Sequence, residues 1–240
     1  MNNQDNIDNL VSFWRAAATP FQAYFKTPDF HYCRLDHSDW PNRLWFDQEP
    51  KQDSIEAAFH FISKSEIPLT IPYWDVYQSD SYHELEKKGF KIASEQVGMA
   101  LKLNQLFPLK NNITIKSVST PVEEKIWAGI YPESFGYRIS RDILANTRKE
   151  ITYYLIYGET EPIGTAMAYS NNTVYGIHGV GVIPRMRRKG FAEEIMKMLL
   201  NQSFNLGYDY ACLQASAMGK GLYEKLGFEE QFAMKNYILP

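Results

Sequence analysis

Val180-Gly-Val-Ile-Pro-Arg-Met-Arg-Arg-Lys-Gly-Phe-Ala192 reads as a strand that stops at a proline, turns through basic residues and enters a helix. The helix is marked by Phe191, Ile195, Met198 and Leu199 at helical spacing, by Glu193 and Lys197 four residues apart, and by Gly207 placed to end it. This unit suits a diphosphate. The first N–H groups of a helix lack intrahelical acceptors, and the helix dipole adds partial positive charge at that end. Gly190 lets oxygens approach the main chain, and Ala192 keeps the first turn narrow. Arg185, Arg187, Arg188 and Lys189 surround the turn with positive charge that also suits a ribose 3'-phosphate.

Outward from this segment, residues 113–118 alternate like a strand, and Pro121 with Glu123 and Glu124 marks a helix expected to run to about Ile130. Residues 131–137 read as a turn-rich aromatic link, and 140–149 as a second helix. Three β-branched and aromatic runs follow at 151–157, 162–169 and 173–183. They are split by Gly158-Glu-Thr-Glu161 and Ser170-Asn-Asn172, as in an antiparallel meander. After the helix at Phe191 come a strand at 208–214, a short helix at 219–226 and a last strand at 228–238. The expected order is β-α-α-β-β-β-α-β-α-β.

On Arg187-Arg-Lys-Gly-Phe-Ala192 the sequence resembles the GNAT superfamily of acyl-CoA N-acyltransferases, whose pyrophosphate loop reads R/Q-x-x-G-x-G/A. Val182 and Pro184 supply the wider V-x-P-x-x-R context. A second match, Ser216-Ala-Met-Gly-Lys-Gly-Leu-Tyr-Glu-Lys-Leu-Gly-Phe228, is similar to the family's segment ending L-Y-E-K-x-G-F. The two motifs and their flanking strands cover about 130 residues, from near Asn112 to Pro240. The fold implied is α+β, a mixed and mostly antiparallel sheet flanked by helices.

The resemblance implies acetyl-CoA as co-substrate, no metal, and direct attack by a primary amine of a small metabolite or peptide. It places Val180 and Val182 beside pantetheine and Arg187, Arg188, Lys189, Gly190, Phe191 and Ala192 around the diphosphate. Ser216 stands where the family has an asparagine. It makes Tyr223 the general acid, a phenol whose pKa near 10 lies above a thiol's near 8.5. The base for the incoming ammonium stays open between His178, which shares strand parity with Val180, Glu133 in the aromatic link, and water. Tyr131, Phe135 and Tyr137 are candidates for an aromatic wall around the acceptor. Tyr153 and Tyr154 point to opposite faces of their strand, so only one can face the cleft.

The first half echoes the second. Glu86-Lys-Lys-Gly-Phe90 overlays Glu224-Lys-Leu-Gly-Phe228 at an offset of 138 residues, which lays 54–65 on the helix at Phe191 and 69–74 on the strand near Tyr208. We therefore expect a tandem, with a degenerate GNAT-like unit at 1–108 and a catalytic unit at 109–240. At that offset the basic turn becomes Glu49-Pro-Lys-Gln-Asp-Ser54, with a carboxylate in place of the arginine and no glycine, and Leu85 replaces Tyr223. Coenzyme binding is not expected there. Residues 5–26 read as one or two helices. His31, Asp36, His37 and Asp39 lack a recognised ligand spacing, so no metal is expected.

Composition narrows the remaining classes. With 45% hydrophobic and 15% aromatic residues the chain can bury a substantial core. A net charge of −3 argues against nucleic acid. The longest charge-free stretch, 162–184, is broken by polar residues and glycines, so no membrane span is expected. The start of the chain lacks a basic or apolar leader, and a cytoplasmic protein is expected. Cys33 and Cys212 show no metal or disulfide spacing and read as reduced and buried. The rival functions are transfer from a longer acyl-CoA, a non-catalytic acyl-CoA sensor, and an aminoacyl-tRNA-dependent transferase; the intact coenzyme turn and the lack of a basic surface weigh against the last. The acceptor and the oligomeric state are not written in the chain.

Overall fold

A capping box of Asn2 and Asp5 starts the first helix, and Ile7, Leu10, Phe13 and Trp14 bury its apolar stripe. In the computed structural model, which describes residues 1–110, 113–171 and 174–240, this is α1 (Asn3–Ala18). It is followed by β1 (Tyr24–Lys26), β2 (His31–Cys33), β3 (Arg43–Trp45), α2 (Gln52–Ile62), β4 (Ile71–Trp74), α3 (Tyr82–Lys87) and β5 (Lys91–Lys102). The helical reading of 5–26 fails at its end. After a 3-10 turn at Thr19–Phe21, Gln22 takes a φ of 53° and sends 24–26 back as a strand paired with β2.

The second half follows the expected order: β6 (Thr114–Ser117), α4 (Pro121–Phe135), α5 (Arg141–Thr147), β7 (Thr152–Gly158), β8 (Glu161–Asn171), β9 (Val174–Val182), α6 (Phe191–Asn205), β10 (Tyr210–Ser216), α7 (Lys220–Lys225) and β11 (Glu229–Ile238). Asn112, Asn172 and Thr173, which enter the expected domain start, turn and third run, lie outside the described residues. One boundary differs by more than two residues. α4 continues through Pro132 to Phe135, so Tyr131, Glu133 and Phe135 are helical. The proline removes an N–H, but Trp127, Tyr131 and Phe135 stack at 4.7 and 4.4 Å along one buried face, and tertiary packing holds the last turn. Gly136, at φ 76°, ends the helix instead.

An eight-stranded sheet runs β4-β11-β5-β10-β9-β8-β7-β6, and among the described residues β9 and β10 are its one parallel pair. β1, β2 and β3 form a separate small sheet. The two halves exchange their last strands: β5 of the first half lies against β10 of the second, and β11 lies against β4. Their register is two-fold symmetric. Glu229↔Ala100 is repeated as Ile238↔Lys91, and Phe232↔Gly98 as Asn236↔Ser94. The symmetry centre is the pair Gln96↔Met234, whose numbers differ by the same 138 that relates the two sequence copies. α3 shifted by that offset coincides with α7 end to end. Two repeats of one unit thus build a single sheet.

Helices cover both faces. α1, α4 and α5 share a cluster with Trp127, Tyr131, Ile143 and Tyr153, while α6 packs Ile195, Met196 and Leu199 against Ile156, Ile177 and Leu213 on the other side. Each such buried aliphatic contributes about 1.5–3 kcal/mol, so α6 is held by its apolar stripe. Tyr153 and Tyr154 do fall on opposite faces, bonded to Thr147 and Gln202 respectively. Both cysteines are free and buried. Among the described residues no helix is long and apolar enough to cross a membrane.

Candidate active site

Among the described residues β9 and β10 pair over Val174–Gly176 and Tyr210–Cys212 and no further. Beyond that point β10 continues to Ser216 on β5 and β9 continues to Val182 on β8, so their facing edges diverge into a wedge. A bulge helps to open it. Between Thr165↔Gly181 and Met167↔His178, β9 carries one residue more than β8, and Gly179 takes a φ of 54°. A Cβ at Gly179 would lie 2.6 Å from Met167 Cε and 3.2 Å from Tyr131 Cε2, and one at Gly181 would strike Ser134 and Phe135. Only glycines let the end of α4 rest on this strand.

The bulge also overturns the expected shared parity of His178 and Val180. His178 stacks on Phe13 of α1 at 4.2 Å, whereas Val180 and Val182 join the cluster on the α6 side with Phe191, Ala192 and Tyr223. His178 is almost fully buried, its Nε2 lies 3.3 Å from Asn9 Oδ1, and burial brings its pKa down to about 3. It is a neutral imidazole at physiological pH. Around it lies a polar network that sequence reading missed. Asn9 donates to the Tyr169 carbonyl and to Asn171, while Asn6 donates to the Met99 carbonyl and accepts from Gln214 of β10. Asparagines in a surface-like helix pattern carry no burial signal; only the partner sheet gives them one.

From Ile183 the chain makes a 3-10 turn at Pro184–Met186, passes Arg188 at φ 61° and reaches Gly190 at φ 80°, the N-cap of α6. Among the described residues the N–H groups of residues 188–193 have no intramolecular acceptor. An added Cβ at Gly190 meets nothing within 4 Å, so the space above it is open. Such a turn offers free donors that can bind an anion. Its cations divide into two kinds. Arg187 braces the turn, its Nε donating to the Val182 carbonyl at 3.0 Å and its Nη2 to the Ser134 carbonyl at 3.3 Å, while Arg185 pairs with Glu161 and Glu133. Arg188 and Lys189 are exposed and form no ion pair among the described residues. Glu193 intrudes in the first turn, but Lys197 and Lys225 flank it at 2.7 and 2.8 Å and hold its carboxyl down to about 2.

Tyr223 is half-buried on α7, edge-on to Phe228, and its hydroxyl has no hydrogen-bond partner among the described residues. Burial pushes its pKa up to about 12, so it is protonated throughout the physiological range. Ser216, at the end of β10, accepts from the Gly219 N–H with both its hydroxyl and its carbonyl. Glu133 lies in the last turn of α4, exposed and 3.8 Å from Arg185. Tyr131 and Tyr137 join hydroxyls at 2.6 Å beside the bulge, and Phe135 stacks on Tyr131. The histidines and aspartates near residue 35 disperse: His31 binds Asp47, His37 binds Asp36, and Asp39 takes the Arg138 N–H.

The matching place in the first half is different. Among the described residues β3 meets the residue before β4 at one parallel bridge, Arg43–Thr70, and Trp45, Phe46, Trp74 and Tyr77, with Ile7 and Val11 of α1, line a cavity of only about 40 Å³. α2 opens with Asp53 in its first turn and no glycine, and Leu85, fully buried, stands where Tyr223 stands in the second half.

Residues 122–228 match the model of the Acetyltransferase (GNAT) family. No curated protein matches this sequence. Among solved structures, a GCN5-related N-acetyltransferase from Kribbella flavida is 18% identical with a TM-score of 0.68, covering 94% of this chain and 95% of that one. A functionally unknown conserved protein from Staphylococcus epidermidis is 12% identical with a TM-score of 0.65, covering 90% and 92%. A GCN5-related N-acetyltransferase from Sphaerobacter thermophilus is 16% identical with a TM-score of 0.61, covering 88% and 76%. At these identities the likeness is one of fold, and it takes in both halves of the chain.

Proposed function

We propose that this acyltransferase, whose residues 122–228 match the model of the Acetyltransferase (GNAT) family, moves an acetyl group from acetyl-CoA to a primary amine of a small metabolite or peptide, as a cytoplasmic enzyme. The observation that carries this reading is the run of unpaired N–H groups at 188–193, opening beside the wedge between β9 and β10. When bound, acetyl-CoA supplies an activated acyl group for direct attack by the amine. The N–H groups of residues 188–192 hold the diphosphate, and Arg188 and Lys189 add charge. Arg187 acts by keeping the turn in shape, since its guanidinium is spent on two carbonyls. Val180 offers main chain along the unpaired edge of β9; the Val182 carbonyl already accepts from Arg187.

Tyr223 holds the proton for the departing sulfur. With a pKa near 12 against a thiol's near 8.5, the phenol does not release that proton ahead of bond cleavage. It donates a hydrogen bond to the charge as it develops on sulfur. For the incoming ammonium, the geometry speaks for water. His178 faces α1 and is held neutral with a pKa near 3, and exposed Glu133 is paired with Arg185. We further propose residues 1–108 and 109–240 as the two units, the first without coenzyme. A free-thiol assay with acetyl-CoA against a panel of amines tests the function. Thiol release with one class of amine, lost in Gly190→Glu, is expected; tight CoA binding with no release for any amine would point to a sensor instead.

A further inference from the structure

Where β9 and β10 part, after Gly176 and Cys212, the residues that would face each other two steps further on are His178 and Gln214. Both send their side chains to α1, where they meet two asparagines three residues apart on one face of the helix. Asn6 accepts from Gln214 Nε2 at 2.7 Å and donates to the Met99 carbonyl of β5 and to Gln231 of β11 at 3.1 and 2.8 Å. Asn9 donates to the Tyr169 carbonyl and to Asn171, both on β8, at 3.2 and 2.8 Å, which leaves its Oδ1 facing His178 Nε2 at 3.3 Å. The neutral imidazole therefore carries its proton on Nε2 and donates it to Asn9. One turn further along the helix, Phe13 stacks on the same ring at 4.2 Å.

One helix face thus holds both strands just past their split, Asn6 on β10 and Asn9 on β9. The fit is close. A Cβ at Gly176 would lie 2.1 Å from Asn9 Oδ1 and 2.6 Å from His178 Nε2, so the helix reaches β9 only because that residue is glycine. Both asparagines are fully buried, and a buried amide stripped of its partners is costly, so α1 cannot shift across the split without breaking bonds on both sides. The strands so held carry the two parts of the site: β9 runs on to Val180, and β10 leads into α7 with Tyr223. We propose that Asn6 and Asn9 are positioning residues, a clasp that sets the width of the wedge and with it the distance between the pantetheine edge of β9 and Tyr223. This rests on the acyltransferase reading above. It gives α1, which lies outside the matched residues 122–228, a working part in the site.

The test titrates the full chain by calorimetry with CoA and with adenosine 3',5'-bisphosphate, the part of CoA that lacks pantetheine. The wild type should bind CoA at least tenfold more tightly than the bisphosphate. In Asn6→Leu and Asn9→Leu that advantage should shrink at least fivefold, with bisphosphate affinity within twofold of wild type and kcat at least tenfold lower. Ile55→Ala, in the separate core of the first half, is the control for general destabilisation and should keep the advantage. An unchanged advantage in both asparagine variants, an equal loss for both probes, the same loss in Ile55→Ala, or equal binding of the probes by the wild type would overturn the proposal. If either asparagine variant fails to fold, Gln214→Leu, which leaves α1 untouched, decides on the same readout. A free-thiol assay separates the two claims: an advantage that depends on the asparagines, without thiol release for any amine, sinks the acyltransferase reading and leaves the clasp standing.

Discussion

Replacing Gly190 separates what the turn does for folding from what it does for the coenzyme. At φ 80° and ψ 2° any other L-residue costs about 1–2 kcal/mol. An added Cβ meets no protein atom within 4 Å, so no steric term is added. Gly190→Ala should therefore lower the melting temperature by only about 2–4 °C per kcal/mol in a chain of this size. Coenzyme binding should suffer more. The methyl group occupies the approach to N–H groups that have no other acceptor, and losing one hydrogen bond to a charged group costs about 1.5–3 kcal/mol. That is roughly 10- to 150-fold in Kd. Gly190→Glu adds a carboxylate. Repulsion by one phosphate charge about 4 Å away amounts to about 1 kcal/mol in water and about 4 kcal/mol at a protein surface, a further loss of about fivefold or more. Calorimetric titration with CoA and with pantetheine, which lacks the diphosphate, reads both effects. CoA affinity within twofold of wild type in both variants, or an equal loss for pantetheine, would refute the reasoning.

Three further outcomes follow from the site. Tyr223→Phe should lower kcat about 10²–10⁴-fold while sparing CoA affinity, and in the wild type ionisation of this phenol, with its pKa near 12, should not limit the rate below pH 10; unchanged turnover in the variant would remove its role. His178 is held neutral, so its contribution is whole above the unfolded pKa of 6.5 and is lost as pH falls toward about 3. Denaturant titrations should show stability falling by roughly 1.4 kcal/mol per pH unit in that window, a slope that His178→Gln removes. Asn9→Ala strips partners from the Tyr169 carbonyl, Asn171 and His178 at once, and should destabilise the fold by about 1–3 kcal/mol; a melting temperature equal to wild type would show the network to be idle.

Much of the second half is legible because its signals are local. The basic turn, the Glu193–Lys197 spacing and the 138-residue echo each sit in a short window, and each has a counterpart in the fold. What escapes reading is non-local. Pro132 looks like a helix stop until Trp127, Tyr131 and Phe135 are seen stacked on the sheet. The exchange of β5 and β11 depends on which edges compete for a partner, and no single window records that. The bulge at Gly179 is set by β8 and α4, so simple alternation places His178 beside Val180 when the two lie on different faces. Arg187 reads as a phosphate ligand by charge, yet two nearby carbonyls claim its guanidinium.

We propose one acyl-CoA site per chain, at the basic turn before α6; the equivalent turn before α2 has no glycine, and Trp45 and Trp74 line only a small cavity there. Native mass spectrometry of the full chain with excess CoA tests this most directly. One coenzyme per chain, lost in Gly190→Glu, is the predicted result; two per chain, or one that survives in Gly190→Glu, would contradict it.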